Sequence, residues 1–274
     1  MEVSRKAIAL GWPQVWLGSK RISRKDWGCR RAEELFFLLM NHPAGLTKDA
    51  LLEHLFPDAY GDTGDGLFHS TLYRCRKALG REVILWEDGI YSVKDRVGWS
   101  YDIVDFEALT QRGRRAAEGA AEAERVYRNA IQLYRGDYLK GWSSEWCEPT
   151  RVRLRGLYVE AAVAVGRYCA GRALLREALD FYQLAIAKDY YSEFAHRGVM
   201  DCLLALGDRL AALRHYQELV ERLQEDFPPG VGSEISALVE DMLGWSPRSL
   251  LSVRGPDDDK RGRLLQLGSS GRGP

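Results

Sequence analysis

The stretch Leu67-Phe68-His69-Ser70-Thr71-Leu72-Tyr73-Arg74-Cys75-Arg76-Lys77-Ala78-Leu79-Gly80 decides how this chain is read. Phe68, Leu72, Cys75 and Leu79 recur at spacings of four, three and four. That is one stripe of a helix with about 3.6 residues per turn, and it predicts a core-facing side. Ser70, Tyr73, Arg74 and Lys77 fall on the opposite side, with His69 and Arg76 on the flanks and no acid among them. Gly80 closes the helix, because glycine accepts the left-handed conformation that other residues resist. Taken alone, the segment also reads as an ordinary amphipathic helix with a solvated basic face.

Its surroundings separate the two readings. After Arg81 and Glu82 comes Val83-Ile84-Leu85-Trp86, then Glu87-Asp88-Gly89, then Ile90-Tyr91-Ser92-Val93. Asp-Gly between two β-rich runs predicts a hairpin. An outward basic helix joined at once to a hairpin is the pattern of a DNA-reading helix and its wing. Upstream, short β-like pieces from Ala7 to Ile22 alternate around Gly11-Trp12-Pro13 and Gly18-Ser19, which predicts a small sheet with tight turns. A helix is expected from about Cys29 to Asn41 with Ala32, Leu35, Phe36 and Leu39 inward, ending before Pro43. A second opens at Thr47 as N-cap, with Asp49 in its first turn and Leu51, Leu52, Leu55 and Phe56 on its apolar side.

Composition sets the bounds. The 274 residues suffice for two domains, and 46% hydrophobic with 28% charged residues is ordinary for a globular protein. No run of about eighteen apolar residues predicts a membrane span, and the N-terminus carries no secretory pattern, so a cytoplasmic location is expected. Cys29, Cys75, Cys147, Cys169 and Cys202 form no CxxC pair and no metal spacing, which predicts reduced thiols on apolar helix faces. Formal net charge is zero, which counts against nucleic-acid binding as a whole-chain property. Net charge averages over domains, however. Basic residues concentrate at Lys20, Arg21, Arg24, Lys25, Arg30 and Arg31 and again at Arg74, Arg76, Lys77 and Arg81.

From Trp99 onward helical periodicity dominates: Asp105 to Glu118, Ala123 to Arg135, Trp146 to Ala170, Leu174 to Lys188, Glu193 to Leu206, Arg209 to Glu225 and Ser233 to Leu243. Within it Ala178-Leu179-Asp180-Phe181-Tyr182-Gln183 matches Ala212-Leu213-Arg214-His215-Tyr216-Gln217 at an offset of 34 residues, with four identities in six positions. That is the tetratricopeptide period, and it predicts stacked helical hairpins with Gly207 at a turn. The stripe Tyr168, Phe181, Tyr182 and Tyr216 is read as packing between helices rather than as a ligand cage.

The first part resembles the winged helix-turn-helix of OmpR-type response regulators. Leu72 to Leu79 is similar to that family's apolar-x-Arg-Leu-Arg-Arg/Lys-x-Leu helix, and Gly89-Ile90-Tyr91-Ser92-Val93 is similar to its wing. The resemblance implies that Ser70, Tyr73, Arg74, Arg76 and Lys77 face the major groove or its phosphates, with Arg74 reading a base and Arg76 and Lys77 holding phosphates. Glu87 and Asp88 depart from the family's basic or neutral wing tip and put a wing contact to DNA in question. Further on, Asp102-Ile103-Val104-Asp105-Phe106-Glu107-Ala108-Leu109, Tyr134-Arg135-Gly136-Asp137-Tyr138-Leu139, Trp146 followed by Glu148 to Leu154, and Leu223 to Pro229 resemble the bacterial transcriptional activator domain. The whole from about Ala7 to Leu243 is similar to SARP-type transcriptional activators. That resemblance implies promoter DNA and RNA polymerase as partners, pairing of two copies, and a polymerase-touching loop at Asp58 to Gly66.

The expected fold is mainly α with a small β portion: a winged helix at 1–97, an all-α tetratricopeptide-like repeat domain at 98–247, and a disordered tail at 248–274. No P-loop, HExxH or nucleophile pattern occurs, so no enzyme activity, catalytic residue, cofactor or metal is expected. The spaced acids of Asp58 to Gly66 lack the terminal Glu of a calcium loop and read as a Gly-rich turn. Two functions stay open: a DNA-binding transcriptional activator, and a protein-interaction scaffold whose winged helix no longer binds DNA.

Overall fold

The structure, a computed structural model, describes residues 4–59, 61–116, 120–226 and 240–241. It divides into two compact units, Met1–Ala161 and Ala162–Pro274. The boundary expected from the motifs, at 97/98, lies inside the first unit, so the motif division and the compact-unit division differ. The tail expected at 248–274 and most of the helix expected at 233–243 lie outside the described residues.

In the first unit, β1 (Arg5–Ile8), β2 (Gln14–Leu17) and β3 (Lys20–Arg21) form an antiparallel meander. A one-turn helix α1 (Arg24–Trp27) follows, then α2 (Arg30–Asn41), β4 (Leu46–Thr47), α3 (Lys48–Leu55) and α4 (Gly61–Leu79). The hairpin β5 (Ile84–Glu87) and β6 (Ile90–Val93) pairs with β4 in the order β4-β6-β5. This is the winged helix-turn-helix that the sequence leads one to expect. The Thr47 side chain caps α3 by accepting from Ala50 N at 3.3 Å. Asp88 (φ +48°) and Gly89 (φ +81°) both take left-handed backbone, the type I′ geometry that Asp-Gly favours in a two-residue hairpin loop.

Three differences from expectation have physical reasons. The turn α1 is too short for periodicity to reveal. It exists because Ser23 and Asp26 form a reciprocal capping box: the Ser23 side chain accepts from Asp26 N, and the Asp26 side chain accepts from Ser23 N. Helix α4 begins at Gly61, so most of the Gly-rich segment expected as a turn is helical. Lys48 ties Asp65 at 2.6 Å, and Gly64 is buried where an added Cβ would lie 3.2 Å from the Ala59 carbonyl oxygen. Finally, α2 is buried all round from Leu35 to Met40. Leu35, Phe36, Phe37, Leu38, Leu39 and Met40 are each 0% exposed. A helix hydrophobic on every side needs cover on every side.

The second cover comes from the chain after the hairpin. Strand β7 (Trp99–Tyr101) adds to the first sheet parallel to β1, giving the order β3-β2-β1-β7. Helices α5 (Asp102–Arg115), α6 (Ala121–Leu133) and α7 (Glu148–Gly171) follow. Phe37 meets Trp142 edge-on with ring centroids 5.7 Å apart, and the Asn41 amide donates to Thr150 Oγ1 at 3.0 Å. Asp102, 4% exposed, accepts from Ala9 N at 2.8 Å and Leu10 N at 3.0 Å through its two carboxylate oxygens. Burial pushes its pKa up, while those two backbone bonds oppose the rise. Residues 137–140 then pair with the extension of β1: Leu139 N donates to Ala9 O, Gly11 N to Asp137 O and Lys140 N to Gly11 O. Arg151 fastens this loop by donating to the carbonyls of Tyr138, Leu139 and Trp142. One apolar core therefore runs from Ala7 through α2 and α4 to Tyr158.

In the second unit, α8 (Leu175–Ile186), α9 (Glu193–Ala205) and α10 (Arg209–Asp226) carry the repeat. Its period is visible bond by bond. Leu174 N donates to Cys169 O and Asp208 N to Leu203 O, and Ala173 N donates to Ala170 O as Gly207 N does to Leu204 O. The left-handed position of this turn is Gly207 (φ +81°) in one repeat and Ala173 (φ +60°) in the other. Ala178 and Ala212 are both fully buried. The Tyr182 ring lies against Gly166 and Gly198, where added Cβ atoms would fall 2.7 and 2.3 Å from it. This fits the core-packing reading of the aromatic stripe.

Two histidines close the contact between α9 and α10. His196, 1% exposed, faces the Tyr190 carbonyl through Nε2 at 2.5 Å, so that nitrogen must donate and Nδ1 must accept. Its Nδ1 lies 2.9 Å from His215 Nε2, which supplies the proton. Burial favours the neutral form of both rings. Burial first, and the neighbouring His196 second, hold His215 down to about 4 from its ordinary 6.5. The unfolded chain then binds more protons than the native one between those values, so stability rises with pH across that window. We expect the second unit to lose on the order of 2 kcal/mol as pH falls from about 6.5 to about 4. His215→Gln should flatten this dependence. Urea unfolding followed by hydrogen exchange on α9 and α10 at several pH values measures it, and a pH-independent midpoint in the native chain would refute it.

Candidate nucleic-acid interface

The outward face of α4 is built by the burial of its other face. Phe68, Leu72, Cys75 and Leu79 are buried as their spacing predicts, joined by Thr71. Phe68 anchors the helix to the wing by packing edge-on against Tyr91 at 5.1 Å. Burial raises the Cys75 thiol well above its ordinary value, so it behaves as a small apolar side chain. With that stripe fixed, Ser70, Tyr73, Arg74 and Lys77 are exposed together on the opposite side. Tyr73 is 63% exposed, a large aromatic ring with no core to fill.

The arginines are held differently. Arg74 Nη1 donates to the Gly28 carbonyl at 3.2 Å, which ties the middle of α4 to the turn after α1. Arg76 is half-buried, and both its Nε and Nη2 donate to the Ile84 carbonyl, at 3.2 and 2.8 Å. Its guanidinium fork thus clamps the start of β5 onto the helix that precedes it. No feature of the helical spacing shows this, since the partner is a backbone carbonyl eight positions on. The structure therefore brings Ser70, Tyr73, Arg74 and Lys77 onto one open surface and sets Arg76 at its edge.

The hairpin adds one residue that sequence reasoning passes over. Trp86 on β5 is 60% exposed, although its position in an apolar run suggests a core side chain. The available signal is that residue 86 sits on an edge strand near the hairpin tip, two positions beyond the buried Ile84 and past the last covered place on that face. Glu87 and Asp88 are exposed at the tip. Among the described residues no group of three or more His, Cys, Asp and Glu could hold a metal ion. Among them, too, no helix is long and apolar enough to cross a membrane.

Residues 101–243 match the bacterial transcriptional activator domain. No curated protein matches the chain in sequence. Among solved structures, Mycobacterium tuberculosis EmbR in complex with a low-affinity phosphopeptide is similar over 97% of this chain and 72% of that one, with a TM-score of 0.71 at 19% identity. That likeness bears on the fold, and it spans both the winged helix and the helical repeats.

The clamp on β5 has a measurable consequence. Arg76→Ala removes two charge-assisted bonds to one carbonyl and should destabilise the first unit by about 1.5–3 kcal/mol. Arg76→Lys should restore only part, lacking the fork. Chemical denaturation with amide exchange at Ile84 and Leu85 reads both, and an unfolding midpoint unchanged in Arg76→Ala would show that the clamp contributes nothing.

Proposed function

The chain belongs to the bacterial transcriptional activator domain family, and from that membership and its SARP-type architecture we propose that it is a DNA-binding transcriptional activator that binds promoter duplex through α4. The observation that carries the proposal is the open face of Ser70, Tyr73, Arg74 and Lys77, set opposite a fully buried stripe and beside a hairpin wing. Such a helix fits the major groove, which admits one helix and presents a distinct donor and acceptor pattern for each base pair. Arg74, midway along the face, is the base reader. Its Nη1 stays on the Gly28 carbonyl, which leaves Nε and Nη2 as a fork for a guanine edge. Lys77, one turn on and exposed, is a phosphate ligand. Arg76 reaches a phosphate only with the Nη1 that its clamp leaves over.

The winged helix at 1–97 is the DNA-binding part of this proposal, and 98–247 is the part that pairs two copies and meets RNA polymerase. One winged helix reads a short site, which discriminates poorly among competing sequences, so two copies on adjacent half-sites are required for selectivity. The segment before α4 that the resemblance assigns to polymerase is short, because the structure turns most of Asp58 to Gly66 into helix. The scaffold alternative draws on the acidic wing tip and the zero net charge. Salt separates the two, since phosphate contacts make affinity fall steeply with ionic strength.

Arg74→Ala should cost about 1–3 kcal/mol on a selected duplex and relax preference at one base pair. Lys77→Ala should weaken every duplex alike and flatten the log-affinity against log-salt slope by about one unit. Anisotropy titrations of the wild type and both variants on a selected and a scrambled duplex measure both effects. Wild-type affinity, slope and selectivity in both variants would hand the function to the scaffold reading. Light scattering of the same complexes should give two chains per selected duplex, and one chain per duplex at saturation would refute pairing.

A further inference from the structure

The face of α4 is sparingly charged for a protein that grips DNA. Arg76 is clamped to Ile84, Arg74 spends one nitrogen on Gly28, and the wing tip is acidic. Duplex DNA carries a negative charge about every 1.7 Å along its axis, and much of the affinity comes from neutralising phosphates. More cations must reach the backbone from somewhere close to α4.

They are present one element away. Arg21 at the end of β3, and Arg24 and Lys25 in α1, are exposed, and among the described residues none of the three makes an ion pair. Lys20 differs. It is bonded to Asp26 at 2.9 Å and is already neutralised. The other acid that feels Arg21 and Arg24 is Glu33, whose carboxyl burial pushes up to about 7 against the pull of Arg30, Arg21 and Arg24. The site is also fixed in place. Gly28, in left-handed backbone (φ +70°), turns the chain straight from α1 into α2, and its carbonyl is the one that Arg74 binds at 3.2 Å. The Ser23–Asp26 capping box holds the other end. Arg24 and Lys25 are thus held in a fixed relation to the base-reading side chain.

We propose that Arg21, Arg24 and Lys25 form a second phosphate-binding surface, which holds the backbone of the same duplex whose groove α4 reads. This rests on the reading of α4 as the DNA helix. The surface fits phosphates rather than bases because its cations sit on a one-turn helix and a strand end beside α4, with no element of their own long enough to enter a groove. Gly28 couples the two surfaces, since its carbonyl positions Arg74 while its N–H closes α1 on the Arg24 carbonyl.

The test uses the full-length chain, a mixed-sequence duplex a few helical turns long and a selected duplex, with affinity read by anisotropy across a range of potassium chloride. Arg24→Gln and Lys25→Gln should each lower affinity for both duplexes by the same factor and reduce the salt slope by about 0.9 for each phosphate no longer neutralised. The ratio of affinities for the two duplexes should not change. The Arg21→Gln, Arg24→Gln and Lys25→Gln combination should reduce the slope further, with circular dichroism and the unfolding midpoint unchanged because all three positions are exposed. Wild-type slopes in these variants, in a chain whose wild type binds DNA with a steep slope, would overturn this surface and leave α4 standing. A wild type that binds neither duplex at any salt would overturn both.

Discussion

Everything in the first unit depends on how Asp102 is used. A buried carboxylate is costly unless its oxygens are bonded, and this one finds its donors in Ala9 N and Leu10 N, at the end of the first strand. Those two N–H groups in turn need acceptors, because the pleat of β1 ends there and water is excluded. Each side satisfies the other across more than ninety positions of sequence. Strand β7 and the 137–140 loop complete the same seam. The winged helix and the first helices of the activator domain are consequently built on one core rather than tethered by a linker.

That arrangement ties α4 to the chain after the hairpin. Helix α4 packs on α2, and α2 is covered on its far side by Trp142 and Thr150. A shift of the segment around residues 138–151 therefore meets α2 directly, and close-packed side chains pass displacement on rather than absorbing it. Arg151, with donors to three carbonyls of that segment, fastens it at three points. The second unit is organised on another principle: a 34-residue turn geometry used twice, with small residues letting Tyr182 lie flat between helices.

Much of this is legible in sequence because it is local. The stripe Phe68, Leu72, Cys75 and Leu79, the Thr47 cap, the Asp88-Gly89 turn and the Ala178/Ala212 repeat are each set by spacing along the chain itself. What escapes is non-local or too short. Phe37 is covered by a tryptophan about a hundred positions away, so α2 shows an amphipathic pattern that the fold then exceeds. The start of α4 at Gly61 escapes because glycine is a weak helix former, and only the tie from Lys48 to Asp65 and the packing of Gly64 outweigh that. In the candidate site, the exposure of Ser70, Tyr73, Arg74 and Lys77 follows from periodicity alone. The engagement of Arg76 does not, because periodicity assigns a side chain to a face but not to a carbonyl.

The parallel pairing of β7 with β1 also bears on how the chain can be divided. Paired on one side with β2 and on the other with β7, β1 is an inner strand. A cut at the motif boundary, after residue 97, would turn it into an outer one, with the Ala9 and Leu10 amides bare where Asp102 had been. Open strand edges recruit other strands, including those of identical molecules. A fragment carrying only the winged helix would be sticky along that edge, and one extended through α7 would keep its border sealed.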